Sequence, residues 1–208
     1  MLLPAFAVFA ALAESGSPSR WAFDGGFGVR LWNDAGRSPE ERAYLDQGRV
    51  GLATSLDVSV YPWNRFGIGL LYAQFFAAAS DPDLLFPNQT RGPSRDDYTI
   101  LYAAPALFYA APFGGGRGAL VFNAGPGIFF YRNESEQGAF PGVLEGNAPG
   151  FHAAASAEYR IRPRLAFGVG LRALQGQVSK MRYNAMDVTY PEISLTRFDV
   201  TAGLRFYP

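Results

Sequence analysis

Residues 197–208 read RFDVTAGLRFYP, and two chemically different faces alternate along this stretch. Every second residue is apolar: Phe198, Val200, Ala202, Leu204 and Phe206. The residues between them are charged, polar or small: Arg197, Asp199, Thr201, Gly203 and Arg205. A period of two is the period of a β-strand, whose successive side chains point to opposite faces of the sheet. The stretch therefore predicts a strand with one apolar face and one charged face.

Similar alternation recurs along the rest of the chain. It is blurred only in the third and fourth segments, where large residues stand on both faces. We expect eight strands in all, at Trp21–Trp32, Gln47–Tyr61, Phe66–Ala77, Asp97–Ala110, Gly118–Arg132, Phe151–Ile161, Leu165–Val178 and Thr196–Tyr207.

The connections between these strands alternate in length. Those after strands two, four and six are short, and those after strands one, three, five and seven are long and polar. An even-stranded membrane barrel has tight turns at one rim and extended loops at the other, whereas a globular sandwich or lipocalin has no reason to separate them. The sequence therefore predicts an all-β fold, an eight-stranded antiparallel up-and-down transmembrane β-barrel over residues 14–208.

The charged face is expected to point into the barrel. Strands of about eleven or more residues match the height of a bilayer, and globular strands are shorter. The interior of an eight-stranded barrel has room only for packed side chains, so opposite charges inside it must pair. We expect a lumen charge network made of Asp24, Arg30, Arg49, Asp57, Glu158, Arg160, Arg172, Arg197, Asp199 and Arg205, with Asp24, Arg205 and Asp57 as its best cluster.

Aromatic residues gather near the expected strand ends, where amphipathic rings favour the headgroup level of a membrane. At the short-turn rim these are Trp21, Trp63, Phe113 and Phe206. At the long-loop rim they are Trp32, Phe76, Tyr98 and Tyr131. We expect them to form two aromatic girdles.

The first thirteen residues, MLLPAFAVFAALA, have the apolar length of a signal-peptide core and end on a small-x-small cleavage pattern. We interpret residues 1–13 as a signal peptide cut after Ala13. No positively charged segment precedes the apolar run, so either the true start lies upstream or the run is a short buried helix.

The chain resembles the small outer-membrane β-barrel family, the OmpA/OmpX/OmpW-like group. The resemblance covers nearly the whole mature chain, and residues 197–208 with the glycine-spaced run Asn123–Gly127 carry it. It implies a location in the outer membrane of a Gram-negative bacterium, among lipid and lipopolysaccharide, and we expect a monomer. It also implies that the last strand carries the signal read by the outer-membrane assembly machinery, in Phe198, Val200, Gly203, Leu204, Phe206 and Tyr207. Family members usually end on the aromatic residue, whereas here Pro208 follows.

Little in the sequence points to chemistry. Cysteine is absent and His152 is the one histidine, which excludes a Cys/His zinc site, a Cys nucleophile and a disulfide framework. The formal net charge is zero and no block of like charge suggests nucleic acid. His152, Ser156 and Glu158 share one face of a strand, but Ser156 would lie about 13 Å from His152. We expect no catalytic residue, cofactor or metal, and interpret His152 as a satisfied polar residue near the long-loop rim.

Two prolines interrupt the pattern. Pro105 and Pro126 lie nearly equidistant from the turn between strands four and five, and each removes a backbone donor. We expect a bulge or missing ladder bonds there, and a lateral gap is one consequence that the OmpW resemblance suggests.

Four functions remain open on the sequence alone. The leading one is a structural or surface-interaction barrel with a plugged lumen and long external loops. The others are a narrow channel for small, apolar solutes, a lipid-A-modifying enzyme, and a soluble lipocalin-like carrier with its apolar face inward.

Overall fold

The structure is a computed structural model that describes residues 18–31, 39–85, 91–137 and 140–208. The expected signal peptide at residues 1–13 and the expected girdle residue Trp32 lie outside the described residues. The elements in chain order are β1 (Ser19–Arg30), α1 (Pro39–Gln47), β2 (Val50–Trp63), β3 (Phe66–Leu85), β4 (Arg91–Phe113), β5 (Gly118–Gln137), β6 (Phe140–Arg162), β7 (Leu165–Tyr183), β8 (Met186–Ser194) and β9 (Arg197–Phe206). Within these described ranges, no helix is both long enough and apolar enough to cross a membrane.

The strands close into a ring. Each of β1 to β7 pairs antiparallel with the next, and β9 pairs with both β7 and β1. β8 continues the register of β9 on β7, since Leu174 faces Arg197 and Gln177 faces Ser194. β8 and β9 are therefore one strand interrupted at Leu195 and Thr196. Counted over the described residues, the ring has eight strands, which confirms the expected antiparallel barrel.

Several strands extend well beyond the expected ends. β3 and β5 have 20 residues each, and β4 and β6 have 23 each, whereas a tilted strand needs only about 9–11 residues to span a bilayer. The β5–β6 ladder continues as far as the pair Gln137 and Phe140. The expected long loops after strands three, five and seven are therefore mostly tall hairpins, because continued pairing satisfies the backbone groups of these polar segments.

The side chains divide sharply between the outside and the inside of the ring. Outward-facing Phe27, Leu107 and Leu171 are 68%, 70% and 63% exposed. Inward-facing Arg197 and Arg205 are 0% and 1% exposed. The soluble-carrier alternative is wrong, because it required the alternating apolar residues to point inward. An apolar belt of this kind is stable against lipid rather than water.

A tight turn joins β4 to β5 at the short-turn rim. It is a single 3₁₀ turn over Gly114–Gly116, with φ angles of 58°, 67° and 87°. Residues that carry a side chain rarely adopt this left-handed region of φ. Three glycines in succession therefore permit a turn in which the backbone of other residues would be strained. The turn keeps β4 and β5 in register down to the pair Phe113 and Gly118.

Candidate functional site

The lumen is the candidate site, and it has two chemically different walls. The charged wall is formed by the neighbouring strands β6, β7, β9, β1 and β2, with buried Arg20, Asp24, Arg30, Asp57, Glu158, Arg172, Arg197, Asp199 and Arg205. The aromatic wall is formed by β3, β4 and β5, with buried Phe75, Ile100, Tyr102, Phe108, Phe129 and Tyr131. Each wall consists of the inward residues of adjacent strands, so the ring order brings like residues together.

Glu158 organises the charged wall near the short turns. Its carboxylate accepts hydrogen bonds from Arg20, from Arg205 Nε at 3.0 Å and from the Tyr207 hydroxyl at 2.6 Å. Ser156 Oγ donates to the same carboxylate at 3.1 Å. Several donors on one buried carboxylate compensate for the hydration that it loses on burial. An isolated ion in the lumen would have no such compensation.

A second set of pairs continues the wall toward the long hairpins. Arg197 Nε donates to Asp199 Oδ1 at 3.1 Å, and Arg172 Nη2 lies 3.7 Å from Asp57 Oδ2. Arg172 is also the register partner of Asp199 across the β7–β9 ladder. Asp57 thus has its ion pair with Arg172, whereas Asp24 and Arg205 pair with each other.

Arg30 lies at the upper end of the charged wall, against the aromatic wall. Its guanidinium carbon is 5.4 Å from the Tyr98 ring centroid and 5.9 Å from that of Tyr131. It also donates to the Ser194 carbonyl at 3.2 Å. A guanidinium over aromatic faces is attracted by the ring quadrupoles, so the two walls are joined here by cation–π contacts.

The structure buries every residue of the expected charge network except Arg49 and Arg160. Arg49 lies beside α1, where it pairs with Asp46 at 3.3 Å. Arg160 is exposed at the short-turn rim, 4.8 Å from the Tyr207 ring centroid. The expectation is corrected for these two, because both lie at the strand ends, beyond the packed interior. Arg20 was missed because the first strand was expected to begin one residue later, at Trp21.

His152 lies within the lumen and is fully buried. Its ring nitrogens lie 3.2 Å from the Tyr102 hydroxyl and 3.1 Å from Asn123 Oδ1. Ser156 bonds to Glu158 instead. The structure thus brings together Tyr102, His152 and Asn123, and it does not bring His152 and Ser156 into the contact that nucleophilic catalysis requires.

Pro105 and Pro126 stand opposite one another across β4 and β5. The ladder runs to Ala103 paired with Ile128 and resumes at Leu107 paired with Ala124. This confirms the expected loss of ladder bonds, since neither proline has an N–H to donate. The two strands nevertheless stay in contact. A Cβ built on Gly125 would lie only 2.1 Å from the Pro105 carbonyl oxygen. Tyr102 donates to the Gly125 carbonyl from the lumen side at 3.1 Å.

The helix α1 packs over the end of the lumen that faces the long hairpins. Tyr44 is buried in the same apolar cluster as Ala79 and Tyr98. Its hydroxyl donates to Asp96 Oδ2 at 2.5 Å and lies 3.1 Å from Ser94 Oγ. Desolvation by burial and the bond to Asp96 raise the pKa of the Tyr44 hydroxyl above its ordinary value. The strand pattern of the sequence predicts only a loop here, so it does not reveal this cap.

The expected girdle residues occupy two different environments. Trp21, Trp63, Phe113 and Phe206 at the short-turn rim, and Phe76 near the other rim, are exposed on the outer surface. Tyr98 and Tyr131 are 4% and 3% exposed and face the lumen. The expectation is corrected for these two tyrosines, because they share the inward face of β4 and β5 with Ile100 and Phe129.

No protein-family model matches the chain, and no curated protein matches it. Solved structures match its fold. Neisserial surface protein A (NspA) has a TM-score of 0.57 at 10% identity, over 90% of this chain and 96% of NspA. Ail, the attachment invasion locus protein of Yersinia pestis, in complex with the heparin analogue sucrose octasulfate, has a TM-score of 0.50 at 10% identity, over 90% and 99%. A major outer membrane protein from Thermus thermophilus has a TM-score of 0.52 at 12% identity, over 90% and 99%.

These matches agree with the closed ring of antiparallel strands described above. The identities are low, so the likeness concerns the backbone and not the lining of the lumen. On this basis the chain has the fold of the small outer-membrane β-barrel proteins.

Proposed function

We propose that this protein is an outer-membrane barrel with a closed lumen, whose external hairpins make contacts at the cell surface. The observation that carries the proposal is the filling of the lumen from both walls. Arg30 of the charged wall lies against Tyr98 and Tyr131 of the aromatic wall, and the three are 0%, 4% and 3% exposed. Side chains that meet in this way narrow the lumen at that level, which favours a closed barrel.

The tall hairpins supply the interaction surface. Their exposed faces carry both positive and negative side chains that form ion pairs, such as Arg95 with Asp97 at 3.0 Å and Arg132 with Glu145 at 2.7 Å. Charged, solvated surfaces held on a rigid ladder are suited to polar partners. The names of two fold neighbours, a surface protein and an attachment protein, are consistent with a role of this kind.

The outer surface of the barrel fits a membrane partner. We place the exposed aromatic residues of the short-turn rim at the lipid headgroups, and lipopolysaccharide around the hairpin end. The last strand presents Phe198, Val200, Leu204 and Phe206 outward, and we propose that these residues, with Gly203 and Tyr207, are read by the outer-membrane assembly machinery. The barrel is proposed to act as a monomer.

Planar-bilayer recording tests the closed lumen. The refolded protein is expected to give no discrete conductance steps. A variant that carries Phe75→Ala and Phe129→Ala serves as the comparison, because it removes two large side chains of the aromatic wall and is expected to raise the leak. Discrete steps from the unmodified protein would overturn the closed-lumen proposal.

The second candidate is a narrow conduit for small apolar solutes. The interrupted ladder at Pro105 and Pro126 favours it, since a weak seam is where a barrel wall would open. Uptake of an apolar dye into proteoliposomes separates the two functions. Uptake that requires the protein, and that falls when both prolines are replaced by alanine, would support the conduit over the closed barrel. No catalytic role is proposed.

A further inference from the structure

The short-turn rim has an unusual charge. The sequence contains no Asp or Glu over residues 58–80, 98–133, 159–186 and 200–208, which include all three short turns. Five exposed arginines lie in or beside those turns: Arg65, Arg117, Arg160, Arg162 and Arg164. Glu158, which lies beside the β6–β7 turn, is buried and already accepts from Arg20 and Arg205. The exposed charge of these turns is therefore wholly positive.

Three of these arginines surround a cavity of about 200 Å³ at the mouth of the lumen. They are Arg65, Arg117 and Arg160, and the backbone holds them in place. Arg160 N donates to the Arg117 carbonyl at 2.8 Å, and Ala110 N donates to the Arg65 carbonyl at 2.8 Å. The guanidinium groups thus extend from neighbouring anchored positions rather than from free loops.

Two buried donors also line this cavity. Arg20 is 1% exposed, and its Nη1 makes no hydrogen bond within the described residues. Tyr61 is 7% exposed, and the one side-chain partner of its hydroxyl within the described residues is the nearby Ser59. Buried donors in folded proteins are nearly always satisfied, so the unpartnered Arg20 Nη1, with the Tyr61 hydroxyl and three arginines around the same cavity, is suited to an acceptor bound between them.

We propose that this cavity binds a phosphate group, supplied either by a phospholipid headgroup of the adjoining leaflet or by free inorganic phosphate. Planar guanidinium forks match phosphate oxygens in pairs, and a phosphate offers more acceptors than a carboxylate for donors that converge from several sides. The Arg20 and Tyr61 donors reach it from inside the barrel and the three rim arginines from outside. The site is distinct from the proposed surface role, which concerns the opposite end.

Calorimetric titration of inorganic phosphate into the full chain tests the site. The protein is refolded in dodecyl maltoside, which contains no phosphate, and ionic strength is held constant with chloride. We expect saturable binding that Arg117→Gln, Arg65→Gln and Tyr61→Phe each weaken, by about tenfold for an arginine. Arg162→Gln and Arg164→Gln are the matched controls, because these exposed arginines belong to the same rim but do not line the cavity. Heat-modifiable gel mobility verifies that each variant is folded.

The outcomes separate a built site from diffuse attraction. Absence of saturable binding, or equal weakening by the control and cavity variants, would overturn the proposal. A second arm adds short-chain phosphatidylglycerol to the same micelles. Displacement of phosphate by the lipid supports the site and identifies a headgroup as its ligand, whereas unchanged phosphate binding supports the site as one for the free anion.

Discussion

Arg205 Nη1 on the last strand lies 2.6 Å from Asp24 Oδ1 on the first strand, so a buried ion pair spans the seam where the barrel closes. The same guanidinium donates to Glu158 through Nε. One arginine therefore ties β9 to β1 and to β6 across the lumen. No turn of the chain connects β9 to β1, so the barrel is closed there by non-covalent contacts alone. The Arg205–Asp24 pair adds a side-chain contact to the backbone ladder between these two strands.

Asp24→Asn is expected to lower the free energy of unfolding by about 1.5–3 kcal/mol, the range for a buried hydrogen bond to a charged group. The asparagine keeps the size of the side chain but removes the charge that Arg205 pairs with. Urea unfolding followed by heat-modifiable mobility measures the change. Asp187→Asn is the control, because Asp187 is 95% exposed in its pair with Arg182. Equal losses in the two variants would contradict a role for the seam pair.

Gly203→Ala is expected to impair closure of the same seam. A Cβ at Gly203 would lie 1.8 Å from the Phe23 carbonyl oxygen, so the backbone of β1 or β9 must move. Overpacking of this kind destabilises a folded protein by about 1–3 kcal/mol. The refolding yield of Gly25→Ala provides the comparison, because a Cβ at Gly25 meets nothing within 4 Å. Similar yields for both alanine variants would show that the close approach does not matter.

Replacement of both prolines, Pro105→Ala with Pro126→Ala, is expected to restore the two missing ladder bonds. The gain from each bond, about 0.5–1.5 kcal/mol, is offset in part by the lost rigidity of proline, so stability is a poor measure. Amide exchange is a direct one, and both new amides are expected to exchange slowly. The amide of Pro163→Ala in the β6–β7 turn gives the fast reference. New amides at 105 and 126 that exchange as fast as this reference would show that the β4–β5 ladder stays interrupted at these positions.

The docking of α1 is expected to weaken at high pH. The pKa of Tyr44 is raised in the folded protein, so its contribution to stability is complete below the ordinary tyrosine pKa of about 10 and is lost as pH rises toward the folded value. Hydrogen exchange over residues 39–47 between pH 7 and pH 11 measures this, after correction for the intrinsic rate. Tyr44→Phe lacks the titrating group and should be less protected throughout, with no further loss above pH 10. A parallel loss in the variant would exclude Tyr44 as the cause.

The sequence is sufficient to predict a strand and its inward face where one face of that strand is apolar and the other is polar. In β1 and β9 the alternation of Phe27 with Arg30, or of Phe198 with Arg197, identifies both the strand and its inward face. In β4 the alternation fails, because Tyr98 and Tyr102 on the inward face are as large and apolar as the residues on the outward face. The lumen of this barrel is half aromatic, and a rule that expects charge inside misassigns Tyr98 and Tyr131.

Other features depended on information that the strand pattern does not carry. The helix α1 begins with Pro39 and Glu40, residues that favour the first turn of a helix, so the sequence carries a local signal for it that is independent of the strand pattern. The partners of Asp57 and Glu158 depend on ring order and tilt, which bring distant strands together across the lumen. The phosphate site depends on the three-dimensional meeting of separate turns, which no single segment of sequence shows.

Spin-label accessibility tests most directly whether lipid surrounds the apolar side of every strand. The chain has no cysteine, so single substitutions of Phe27, Leu107, Leu171 and Val200 by cysteine each carry one label. Cysteines at Arg95 and Lys180 report on the external hairpins. In lipid bilayers, the four barrel positions are expected to collide more with oxygen than with a water-soluble nickel chelate, and the two hairpin positions to show the reverse. Preferential collision of the chelate with the four barrel positions would contradict the transmembrane barrel.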